Sequence, residues 1–187
     1  MTLESEVIGK FQELGYYQEQ SDTYVNVFGI RGKESRVNYF DDYIGIFRRV
    51  KGFTEFKVWK GTTRPGLPSL LKPVNRRGTA ILVPGQYKDA YRCGYYKGYL
   101  ALKQTGEVRV YRDATLDEKW DTREATIDEG LFGIHIHRAG LWSKVVGPYS
   151  AGCQVIHRVS DYNECMKYVM EAENVGQFKF TYTLLEF

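Results

Sequence analysis

A chain of 187 residues with a formal charge of +3 is the right size for one domain with a real core, and too weakly charged to advertise a nucleic-acid partner. Its Lys and Arg are spread along the chain rather than run together, which leaves only a mild preference for anionic surfaces such as a bacterial wall. The 19 Gly, 15 Tyr and only 5 Pro suit a β-rich chain with many tight turns better than a helical one.

The first segment, MTLESEVIGKF, lacks the basic and long apolar regions of a signal peptide. No apolar run approaches the ~20 residues needed to span a bilayer. The expectation is a soluble, monomeric, single-domain protein (1–187) made in the cytoplasm, with residues 1–23 as an N-terminal helical extension. Leu3, Val7, Ile8, Phe11 and Leu14 recur at helical spacing, with Thr2 as cap and Gly15 as stop, so residues 3–14 are predicted helical. From Tyr24 to about Val110 the pattern changes to short strands: TYVNVFGIR, DDYIGIFRRV, FTEFKVWKGTT, TAILVPGQYKDAYR and GYLALKQ, with EVRVYRD continuing the series. Residues 64–78 read as a Pro-rich loop and residues 113–130 as an acidic surface excursion. LFGIHIHR returns to strand pattern, SAGC makes a turn, and a second helix follows, capped by Ser160 with Tyr162, Met166, Val169 and Met170 on its face. Gly176 stops it, and FKFTYTLLEF is a closing strand.

Residues 133–156, GIHIHRAGLWSKVVGPYSAGCQVI, gather two of the three histidines and one of the three cysteines. A nucleophilic cysteine needs a base within reach of its thiol and backbone amides facing the oxyanion that forms on the attacked carbonyl. Cys153 is preceded by the small residues Ser150, Ala151 and Gly152. Gly152 allows a tight turn, and the Gly152 and Cys153 amides are candidate oxyanion donors. His135 and His137, two apart on a predicted strand, project from one face. The odd number of cysteines (Cys93, Cys153 and Cys165) argues against a disulfide framework. A buried, inert Cys153 near surface histidines is the plain alternative.

This segment resembles the signature of the L,D-transpeptidase (YkuD-type) family: a histidine in an I-H-G-T-like strand and, 16 to 18 residues later, S-x-G-C. His137 precedes Cys153 by 16 positions and His135 by 18. GTTRPG at 61–66 and GTAILVPGQYK at 78–88 extend the likeness, which covers roughly residues 25–187 and is closest to a small phage and bacterial branch. The resemblance implies an α+β, mainly β fold: two packed sheets in an L,D-transpeptidase-like sandwich, with the N-terminal helix and a helix after the cysteine. It implies Cys153 as nucleophile and His137 as base, with His135 auxiliary. Ser150 would bond within the turn or orient the histidine. Arg138 and Tyr149 are the expected substrate-binding side chains, and no cofactor is expected. The usual histidine before G-C is Ala151 here, and the arginine often found two after the cysteine is Val155, which leaves substrate detail open.

The implied activity is cysteine-dependent acyl transfer on peptidoglycan stem peptides, ending in hydrolysis or transpeptidation at the cell wall. Without a signal peptide, a phage-borne wall hydrolase fits best. Alternatives are a silent wall-binding or virion-associated module, and a zinc hydrolase using His135, His137, Cys153 and His157. Asp113, Asp117 and Asp121 are spaced as a solvated loop rather than an EF-hand.

Overall fold

The structure, a computed structural model, describes residues 2–187. Helix α1 is Leu3–Glu13. Thr2 Oγ1 accepts from the Ser5 amide at 3.2 Å, and the Thr2 amide donates to Ser5 Oγ at 3.1 Å, a reciprocal cap. Eleven residues are marginal as an isolated helix. Docking supplies the rest: Val7 and Phe11 are buried against Phe28, Ile30, Phe47 and Leu185. Burial of that pair contributes roughly 3–6 kcal/mol.

Next come strands β1 (Val25–Arg31), β2 (Asp42–Val50) and β3 (Phe53–Thr62), then helix α2 (Leu67–Leu71). Strands β4 (Thr79–Leu82), β5 (Gly85–Tyr96), β6 (Tyr99–Gln104), β7 (Val108–Asp113) and β8 (Asp128–Gly130) follow. The chain ends with β9 (Ile136–Arg138), β10 (Gln154–Ile156), helix α3 (Val159–Asn174) and β11 (Phe180–Glu186). The protein is mainly β with flanking helices, and it has two sheets, as expected. The larger sheet is not the open layer of a sandwich. It closes as a barrel in the order β1-β11-β5-β6-β9-β10-β3-β2, while β4-β7-β8 form the second sheet. Closure follows from β1, which is buried along its whole length. Val25 and Val27 join the main core, Phe28 and Ile30 meet α1, and the two edges pair with β2 and β11.

One core serves both sheets. It joins Val25, Ile44, Leu102, Ile136 and Tyr182 of the barrel to Leu82 and Val110 of the small sheet, and takes in Tyr162, Met166 and Val169 of α3. Several boundaries differ from the sequence reading. TAILVPGQYKDAYR splits into β4 and β5, in different sheets, because Pro84 has no amide hydrogen for a ladder. The 64–78 loop contains α2, and the 113–130 excursion ends in β8. In LFGIHIHR only Ile136–Arg138 is strand: Gly133, at φ +72, breaks the run. Arg158, not Ser160, is the N-cap of α3. Its extended backbone leads straight out of β10, so the helix begins one residue before Ser160, whose hydroxyl donates to Asp161.

Candidate active site

β9 and β10 lie side by side and parallel, with Val155 opposite His137 and Gln154 opposite Ile136. Ile136 and Ile156 enter the main core, so the alternating residues His137 and Val155 lie on the other face of the pair, where both are buried. Cys153 stands immediately before β10, next to the position held by His135 across the pair: the Gln154 amide donates to the His135 carbonyl at 2.9 Å. The register therefore puts His135, His137 and Cys153 on one face of the β9–β10 pair. The cysteine also touches a small apolar cluster of Phe40, Ala139, Val146 and Val155.

The two histidines are held in opposite tautomers. His137 Nδ1 lies 2.9 Å from the Arg138 carbonyl, which only accepts, so Nδ1 carries the proton. Its Nε2 is then the lone-pair nitrogen; it is buried and has no partner among the described residues. His135 Nδ1 accepts from the Gln104 amide at 3.0 Å, so in the neutral ring the proton sits on Nε2. Only His137 offers a free basic nitrogen. Burial lowers its imidazole to about 4, against the favourable Arg138 hydrogen bond, with the nearby Lys97 ammonium adding to the fall. His135 is also lowered, by burial and then Lys103.

The thiol is likewise neutral at rest. Burial pushes Cys153 up to about 11, opposed by a backbone hydrogen bond at His135 and by Lys97. The Cys153 thiol donates to the Gly133 carbonyl at 3.3 Å, and no hydrogen bond joins it to either imidazole among the described residues. As it stands, the Cys153 thiol and the His137 imidazole are both neutral. Catalytic hydrogen bonds commonly tighten only once substrate is bound.

The SAGC turn is built around glycine. Gly152 adopts φ +128, and a Cβ there would stand 2.5 Å from the Ala80 carbonyl oxygen and 2.8 Å from Ile134 Cδ1. Ser150 bonds within the turn: its hydroxyl donates to the Cys153 carbonyl at 2.8 Å and accepts from the Gly152 amide at 3.2 Å. That bond engages the Gly152 amide, one of the two candidate oxyanion donors. The Cys153 amide remains without a protein acceptor among the described residues. The Ser150 carbonyl accepts from the Gly66 amide at 2.9 Å, which ties the turn to the GTTRPG loop.

Of the expected substrate-binding side chains, the Tyr149 ring packs against Gly140, two residues beyond Arg138. Arg138 lies over the Tyr99 ring at 4.3 Å. Tyr149 is partly exposed at the end of a 3-10 turn, Gly147–Tyr149. Two further residues, Tyr96 and Gln104, complete the surroundings. The tip of the β5–β6 hairpin covers the histidines, and the Tyr96 ring lies 5.0 Å from each imidazole. Gln104 clamps the approach to β9: its side-chain oxygen accepts from the Phe132 and Ile134 amides, and its nitrogen donates to Gly106 and Gly130. The available signal was the Tyr-Lys-Gly-Tyr turn between two alternating strands. Nothing local marks Gln104.

The other candidates resolve into structure. Among the described residues no three His, Cys, Asp or Glu side chains gather as a metal-ligating group. His157 stacks on Phe40 at 4.2 Å and donates from Nε2 to the Ser143 carbonyl. Asp113 accepts from Thr115 and Asp121, and Asp121 pairs with Arg123, as turn-forming carboxylates do. Cys165 is core, and Cys93 contacts Met170 sulfur at 3.8 Å. Among the described residues no helix is long and apolar enough to cross a membrane. No family model, curated protein or solved structure matches the chain.

Proposed function

We propose that the protein is a cysteine acyl-transfer enzyme of L,D-transpeptidase type, acting on peptidoglycan stem peptides through a Cys153 thioester. One observation carries this reading: His137, its tautomer set by the Arg138 carbonyl, holds an unpartnered basic nitrogen on the strand beside the cysteine. The substrate class comes from the resemblance of the I-H and S-x-G-C segments to that family. In the same reading, the barrel and the small sheet that shares its core correspond to the family's two-sheet sandwich.

The thiol turns from Gly133 towards His137, and Nε2 takes its proton as sulfur attacks a stem-peptide carbonyl carbon. The Cys153 amide stabilises the tetrahedral oxyanion. The imidazolium returns the proton to the departing amine as the C–N bond breaks, leaving a thioester. Water resolves it in hydrolysis, and a wall amine resolves it in transpeptidation. His135 packs against Tyr96 and steadies the rim of the site.

The neutral resting pair is the observation that favours a second reading, a silent wall-binding module. Mass spectrometry of purified muropeptides incubated with wild type, Cys153→Ala and His137→Gln separates the two. The enzyme reading expects shortened stems, cut cross-links or new links with wild type only. Identical products from wild type and Cys153→Ala would overturn it.

A further inference from the structure

Beyond the nucleophile, the same loops build a second concavity. A basin of about 490 Å³ is lined by Arg36, Lys60, Lys144 and Arg158, with Phe40 and His157 as an aromatic floor. Two carboxylates also line it. Asp41 is paired with Arg36 at 3.3 Å, and Asp161 accepts from Ser160. Lys60, Lys144 and Arg158 have no carboxylate partner among the described residues. All three are exposed.

They converge from three separate segments, and His157 fastens the segments together. Its amide donates to the Lys60 carbonyl at 2.9 Å, and its Nε2 donates to the carbonyl of Ser143, the neighbour of Lys144. Arg158 is the next residue in the chain. The floor is continuous with the candidate active site: Phe40, stacked on His157, belongs to the apolar cluster that Cys153 touches. Converging cations in a concavity focus positive potential and attract an anionic group. Lysine and arginine heads at different angles suit the tetrahedral or planar oxygens of phosphate or carboxylate.

We propose that this basin is an oxyanion-binding subsite that takes a phosphate or carboxylate carried by the same molecule whose acyl group reaches Cys153. The assignment to that molecule rests on the acyl-transfer reading; the oxyanion site itself does not. Inorganic phosphate is titrated at low ionic strength into wild type, Cys153→Ala and the triple variant Lys60→Met, Lys144→Met, Arg158→Met, with binding followed by calorimetry. Phosphate should bind wild type and Cys153→Ala alike, and at least tenfold more weakly to the triple variant. Equal binding by the triple variant, or phosphate binding no tighter than chloride, would overturn the site.

An unchanged melting temperature in the triple variant, whose replaced side chains are exposed and unpaired, shows that lost binding is not lost fold. On muropeptides, the triple variant should raise KM about tenfold with kcat within twofold, and phosphate should compete with substrate. Unchanged KM alongside lost phosphate binding would mean that the basin takes a separate anion, and would overturn its assignment to the substrate. If wild type turns over no muropeptide, the acyl-transfer reading falls and that assignment with it, while the phosphate titration still decides the oxyanion site.

Discussion

Lowering the pH from 7.5 to 5 protonates His137 in the unfolded chain but not in the folded one. The folded imidazole titrates at about 4 because it is buried, whereas an unperturbed histidine titrates near 6.5. Over that interval the unfolded state binds more protons, so stability falls as pH falls from about 6.5 towards 4 and levels off below. Each pH unit inside the window is worth about 1.4 kcal/mol, so the step from 7.5 to 5 removes about 2 kcal/mol through this one residue. His137→Gln keeps a polar side chain and removes the titration. Urea unfolding followed by Trp fluorescence, for both proteins at both pH values, gives a double difference in which His135, His157 and the carboxylates largely cancel. Wild type should lose about 2 kcal/mol more than the variant between the two conditions. A double difference under about 0.5 kcal/mol would mean that His137 is solvated or paired, and the unpartnered base would be lost with it.

Gly152→Ala should destabilise the fold by about 2–3 kcal/mol, because it sets a Cβ on the Ala80 carbonyl at a positive φ; thermal melting checks this. Gln104→Leu leaves the Phe132 and Ile134 amides unpaired and should cost roughly 2–4 kcal/mol, with faster hydrogen exchange confined at first to residues 130–135. Alkylation of Cys153 by iodoacetamide, read by peptide mass spectrometry, should climb close to tenfold per pH unit from pH 7 to 10, because the thiol titrates at about 11. A plateau near neutral pH would instead reveal a resting thiolate–imidazolium pair.

Local pattern carried much of this structure. Alternation in DDYIGIFRRV and FTEFKVWKGTT marks β2 and β3, and the spacing of Val7 and Phe11 marks the buried face of α1. The S-x-G-C turn announced its own geometry, since Gly152 has no room for another residue. What stayed hidden depends on partners remote in sequence. The tautomers of His135 and His137 are an example: one is set by the Arg138 carbonyl and the other by the Gln104 amide, 31 positions earlier in the chain. Barrel closure depends on a parallel pairing of the first strand with the last, for which periodicity within either segment holds no record. Ser160 is a good capping residue in isolation, but the extended path out of β10 had already begun the helix.

That first-to-last pairing has a consequence for how the protein is made. β11 lies between β1 and β5, so during synthesis β1 keeps one bare edge until β11 has been made and pairs with it. Until then the chain carries an apolar strand able to zip onto another nascent copy. Ribosomes closely spaced on one message would bring such edges together, and slower initiation, not a stronger promoter, would be the route to soluble protein.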